Sequence, residues 1–162
     1  MAREQASIGA AQHYGPRTDN AGLPHTVSQY GPYKVQEVRF DYEDANAGLP
    51  TANANTDAGT LIIPANSIIT RAYLHVTTAF TSGGSATLEL GTQNNAGSAV
   101  DADGLDSLAV AALTANSWHV LDGALIGATV GTSDVQVSID DATATFTAGV
   151  ARLIVEYVQP SA

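Results

Sequence analysis

From Leu61 to Val158 the chain runs in short stretches where apolar and polar residues alternate, broken by Gly, Asp, Asn and Ser. About sixty residues before it are polar and carry Gly, Pro and Tyr instead. Alternation with period two fits a half-buried strand and no helix, so the body can bury its apolar side chains only as paired strands. The leading segment has too little apolar surface to order itself as a separate core. The layout predicts an all-β body behind an extended arm: residues 1–34 as the arm, 35–60 as a strand and linker, and 61–162 as the body.

The arm repeats two phrases, Tyr14-Gly15-Pro16 with Tyr30-Gly31-Pro32 and Asn20-Ala21-Gly22-Leu23-Pro24 with Asn46-Ala47-Gly48-Leu49-Pro50. The offsets of 16 and 26 residues differ, so no structural repeat follows. Proline pushes its predecessor out of the α region, so these phrases predict extended or turned backbone. Only Val35 to Tyr42 reads as a strand, with Val38, Phe40 and Tyr42 alternating against Glu37, Arg39 and Asp41. It is placed to open the folded body or to pair with a neighbouring subunit.

A chain of 162 residues is long enough to bury a core without staples, and it contains no cysteine. Thiolate metal sites are therefore excluded. No apolar run approaches the roughly 18 residues of a membrane-spanning helix. Met1 to Gly15 lacks the basic start and hydrophobic run of a signal peptide, so a soluble chain without export signal is expected. The net charge is −10, with −2 in residues 1–54 and −8 in residues 55–162. Nucleic acid, whose phosphates need a basic stripe, is a poor match.

In Ser67 to Phe80, Ile68, Ala72, Leu74 and Val76 fall on one face; Ile69, Arg71, Tyr73, His75 and Thr77 fall on the other. Thr81-Ser82-Gly83-Gly84 reads as a turn into a strand with Ala86, Leu88 and Leu90 inward, which predicts a hairpin. Gln93 to Gly104 reads as a long loop. Leu105, Leu108, Ala109, Ala112 and Leu113 then recur at helical spacing, predicting one short helix capped by Asp103. Ser117–Leu121, Ala124–Val130, Val135–Ile139 and Val150–Val158 read as strands, the last central with both faces partly covered. Seven to nine short strands at this spacing predict an antiparallel β-sandwich or jelly roll. Apolar residues such as Ile69 and Tyr73 on the second face predict a homo-oligomer that covers them.

No motif for chemistry stands out. Asp101-Ala102-Asp103-Gly104-Leu105-Asp106 lacks the third aspartate and distal glutamate of a calcium loop, so turn and cap chemistry is expected there, with no metal and no cofactor. Asp140-Asp141 reads as a hairpin tip. His13, His25, His75 and His119 form no ligand pair by spacing. Ser117 and His119 share a strand face without implying a nucleophile and base, and no nucleophile elbow occurs, so an enzyme is not expected. Trp118, beside His119, suits core or interface volume, or stacking on a sugar. Tyr14, Tyr30 and Tyr33 in a polar arm suit anchoring in a partner's pockets.

The run Leu61-Ile62-Ile63-Pro64-Ala65-Asn66-Ser67-Ile68-Ile69-Thr70-Arg71-Ala72-Tyr73-Leu74, the Asp101–Leu105 loop and the closing Ala148-Gly149-Val150-Ala151-Arg152-Leu153-Ile154-Val155-Glu156-Tyr157 resemble small virion proteins of tailed bacteriophages, above all capsid decoration (cement) proteins. The resemblance spans about Leu61 to Tyr157. It implies a β-sandwich on the outer capsid surface, commonly a trimer, with the major capsid protein and its own copies as partners, and neither nucleic acid nor membrane. On that reading Tyr14, Arg17, Tyr30, Tyr33 and Lys34 are the candidate capsid-anchoring residues of the arm. Two alternatives are a host-attachment or glycan-binding head or tail fibre module, in which Trp118 and loop aspartates face a sugar and Trp118 and His119 are the candidate ligand-facing residues, and a small hydrolase.

Overall fold

The computed structural model describes residues 33–48 and 61–159, and the backbone of 17–18 and 26–30. Its strands are β1 (Arg17–Thr18), β2 (Thr26–Tyr30), β3 (Tyr33–Asp41), β4 (Ile62–Ile63), β5 (Ile68–Ser82), β6 (Thr87–Gln93), β7 (Ala99–Ala109), β8 (Ser117–Val120), β9 (Val135–Ala142) and β10 (Phe146–Val158). They form two antiparallel sheets, ordered β1-β2-β3-β10-β5-β8 and β4-β9-β6-β7. The chain is an all-β sandwich, as the alternation predicts.

β10 lies at the centre of the larger sheet, with β3 along one side and β5 along the other. Its inward residues Ala151, Leu153, Val155 and Tyr157 are buried. Opposite them the smaller sheet supplies Ile63, Leu88, Leu90, Val137 and Ile139. Each such aliphatic side chain contributes about 1.5–3 kcal/mol by leaving water. The central position and the partly covered second face agree with the sequence reading: Val150, Ile154 and Glu156 are half-buried and Arg152 is exposed, so only one face of β10 is fully sealed.

The strand read at Val35–Tyr42 is β3, which opens the folded body: Val38 and Phe40 enter the core. Tyr42 instead begins the six-residue helix α1 (Tyr42–Ala47). Asp41 caps it, accepting from the amides of Glu43 and Asp44 at 2.9 and 3.1 Å, while the Asp41 amide donates to Asp44 Oδ2 at 3.0 Å. This reciprocal box satisfies helix-end donors locally. Asn46 then ties α1 to the sheet, its amide donating to the Phe146 carbonyl and accepting from the Phe146 amide, both at 2.8 Å. Two short strands, β1 and β2, precede β3, and sequence reading had assigned neither.

Several local expectations are corrected. Thr81–Gly84 does not close a hairpin, because β5 already has β10 and β8 as neighbours and the chain passes to the other sheet, where β6 pairs with β9 and β7. Period two cannot distinguish strands side by side from strands facing across a core. The expected loop Gln93–Gly104 shrinks to the Asn94–Ser98 turn, and β7 runs through the expected helix. β6 needs an edge partner, and the ladder Leu88↔Leu108, Glu89↔Ser107, Leu90↔Asp106 overrides helical spacing. Only a 3₁₀ turn at Val110–Ala112 follows, with uncapped entry at Ala109.

Ala124–Val130 is a run of turns, not a strand, tied to both sheets by Leu125 N–H to Gly104 C=O at 2.7 Å and Gly127 N–H to Ile69 C=O at 2.7 Å. Asp140-Asp141 lies inside β9, opposite Glu89 and Leu88, so it is no hairpin tip. In β5 the faces of Ile68 and Ile69 are exchanged: Ile69 is buried and Ile68 exposed. The register slips there, with Tyr157 opposite Ile69 and Glu156 opposite Arg71, leaving Thr70 as the extra residue of a bulge. One extra residue reverses the parity of everything on one side of it.

A second irregularity in the β10–β5 register surrounds Gly149. Its φ is +141°, and an added Cβ would lie 2.3 Å from Phe80 Cγ, in the aromatic cluster Phe40–Phe80–Phe146. Gly149→Ala combines backbone strain with core overlap. It is expected to cost about 3 kcal/mol in urea unfolding, whereas Gly83→Ala, with nothing within 4 Å, should leave the midpoint nearly unchanged.

Candidate interaction surface

The unsealed face of the larger sheet presents side chains in rows across adjacent strands, each strand about 4.8 Å from the next. One row reads Arg39, Arg152, His75, Trp118 across β3, β10, β5 and β8. The next reads Glu37, Ile154, Tyr73, Val120, followed by Val35, Glu156, Arg71 and then Tyr33, Val158, Ile68. Trp118, Val120 and Tyr33 are 61%, 73% and 63% exposed. The indole of Trp118 stacks on the His75 ring, centroids 4.3 Å apart and planes 10° apart, which holds it upright with its second side toward the open edge of β8. Arg152 Nη1 donates to Glu37 Oε1 at 3.3 Å, the only ion pair among the described residues. An exposed pair of this kind contributes well under about 1 kcal/mol.

The candidate anchoring residues are not gathered into one site. Tyr33 lies on this outer face. Lys34 has the opposite parity and is half-buried at the register position of Tyr157. Arg17 and Tyr30 lie in β1 and β2, which extend the same sheet beyond β3, and their side chains, like all of Tyr14, are outside the described residues. Sequence reading missed Arg39, Arg152 and Tyr73 as companions of Trp118. Parity alone separated Arg71, Tyr73 and His75 from the core, but only the strand order sets them beside β3 and β8.

Trp118 and His119, paired as ligand-facing candidates, point to opposite sides of β8: Trp118 aligns with outward His75, and His119 with buried Leu74. His119 Nε2 lies 3.1 Å from Ser117 Oγ, a contact that strand spacing had not required. Ser117 Oγ, however, donates its one proton to the Thr114 carbonyl at 2.6 Å. Toward His119 it can then only accept, so the histidine acts as donor, the reverse of a base activating a nucleophile.

The fold is similar to that of a phage capsid chain. A chain in the capsid of Ralstonia phage GP4 aligns at a TM-score of 0.50 and 20% identity, over 93% of this chain and 93% of that one. A chain in the cyanophage Pam1 capsid asymmetric unit aligns over 96% of this chain and 98% of that one, at a TM-score of 0.42 and 16% identity. At such identities the likeness is one of fold. The sequence matches no family model and no curated protein.

The acidic stretch Asp101–Asp106 sits in β7, not in a loop with a helix cap. Three residues of β6, Leu90 to Thr92, face six of β7, Asp106 to Asp101, so the strand bulges there. Gly91 allows it, since a Cβ would stand 2.1 Å from the Asp101 carbonyl oxygen. Among the described residues no group of three His, Cys, Asp or Glu is placed to hold a metal ion. Asp101 has its pKa raised, first by partial burial and then by the hydrogen bond and charge of Asp103. A raised carboxyl pKa favours the folded state when protonated, and that contribution is lost as pH rises through the folded value. Asp101→Asn should therefore melt above the wild type at pH 7, with the difference closing below about pH 4. Chelator should leave both melting temperatures in place.

Proposed function

We propose that this protein is a non-enzymatic structural component of a phage virion, which decorates the outer surface of the assembled capsid and bridges major capsid protein subunits. The observation that carries this reading is the sandwich itself, similar over nearly the whole chain to a chain of a phage capsid. The resemblance of the Leu61–Tyr157 phrases to decoration proteins supports it from the sequence side. Copies that bind only the assembled shell stabilise it by linkage, and attachment at two points raises the effective concentration of each contact. In this reading residues ahead of β3 form the arm, with Tyr14, Arg17 and Tyr30 as its anchors and Tyr33 and Lys34 anchoring beside it from the start of β3, and the body assembles as a homotrimer.

A second reading, carbohydrate binding during host attachment, is favoured by one observation, the exposed Trp118 held upright by His75. Trp118 is the sole tryptophan, so its fluorescence reports sugar binding directly. Glycan-dependent quenching in isolated protein would move the assignment to this reading.

Two outcomes test decoration. Sedimentation at micromolar concentration should show three chains per particle; a strict monomer, free and on the capsid, removes the trimer. Deleting residues 1–32 leaves β3 whole and should give a folded body that binds capsids stripped of this protein at least tenfold more weakly. Capsids carrying it should release their genome at lower temperature than those with the full chain. Equal binding and protection by the truncated body would reassign attachment to the sandwich.

A further inference from the structure

We propose that the outer face of the β3-β10-β5-β8 sheet is the seat by which the body lies on the capsid, its occupant a shell-protein surface that is acidic and studded with apolar groups. The proposal rests on the decoration reading and adds which face of the body meets the shell.

Charge carries it furthest. Residues 83–145 hold eight carboxylates and neither lysine nor arginine. The outer face of the larger sheet, by contrast, balances Arg39, Arg71 and Arg152 against Glu37, Glu156 and the helix-capping Asp41. On a chain of net charge −10 this balanced face is the one an acidic surface repels least, so it leads on approach.

Composition agrees. Among the described residues, Trp118, Val120, Tyr33 and Ile68 are four of the six exposed large apolar residues, and all four lie on this face. Tryptophan, tyrosine and arginine are the residues that dominate binding energy at the centres of protein interfaces. Arg39 and Arg71 stand exposed, outside the Arg152–Glu37 pair, and can meet carboxylates of a partner. Continuity adds a third argument: β2 and β1 prolong this same sheet beyond β3, so the arm leaves from the margin of the proposed seat.

The test compares charge-matched variants on capsids stripped of the protein. Arg39→Ala/Arg71→Ala removes two positive charges from the face, and Ser98→Asp/Thr132→Asp adds two negative charges at exposed turns elsewhere. The first should weaken binding at least tenfold and flatten its salt dependence; the second should stay within twofold of wild type. Trp118→Ala should also lose at least tenfold. Because the chain has no cysteine, Val120→Cys gives a single thiol, expected to react with a maleimide at least tenfold more slowly on the capsid than free, while Ser98→Cys reacts alike in both.

If wild type binds and the face variants bind as well, with Val120→Cys unprotected, the seat is overturned and decoration stands. If the arginine variant keeps its capsid affinity but sediments with fewer chains per particle, the face joins copies of this chain and the proposal also falls. If wild type does not bind capsids at all, both readings fall together.

Discussion

Everything in this sandwich leans on the pairing of β10. Its nine register partners on β3 and eleven on β5 fix the middle of the larger sheet, and its alternate residues Ala151, Leu153, Val155 and Tyr157 floor the core. Its register with β3 is unbroken, whereas its register with β5 shifts toward both ends. Gly149 and the bulge at Thr70 accommodate those shifts, one by admitting the Phe80 ring where a Cβ would stand, the other by inserting an unpaired residue in β5. Remove either and the two inner faces no longer stay in phase.

The same pairing explains why one side of the larger sheet is left open. Two covering layers would need a third sheet or a helix, and the one α-helix among the described residues, α1, is occupied at the end of the sandwich, capped by Asp41 and bound through Asn46 to Phe146. Rows of Arg, Tyr, His and Trp therefore face outward, while the carboxylates accumulate on the smaller sheet and its loops. Asp140 stands directly across from Glu89, and burial raises its pKa, with the Asp141 charge adding and the Asp141 amide opposing. Like charges facing each other weaken a strand pair slightly.

The polar interior is small and specific. Gln36 donates to the Tyr157 hydroxyl at 2.9 Å inside the β3–β10 pair, and burial raises the pKa of that phenol. A buried amide and phenol that find each other fix strand register more narrowly than apolar packing does, since a slip by one residue would leave both unpaired. With the Asp41 box, this contact makes β3 a bonded part of the body. An arm can begin only before it.

The amino-acid sequence alone determined that the body is β, because period two is a property of single strands and survives without knowledge of neighbours: β3, β5, β8, β9 and β10 all lie where alternation puts them. It also determined that Arg71, Tyr73 and His75 avoid the core. The helix expected from Leu105 to Leu113, the hairpin at Thr81–Gly84 and the strand at Ala124–Val130 failed for a common reason. Each depends on which element lies alongside, and partner choice is set by contacts distant in sequence. The outer face was illegible on the same ground: Arg39, His75, Trp118 and Arg152 are scattered along the chain between positions 39 and 152, and they become one row only when antiparallel pairing brings four strands into register.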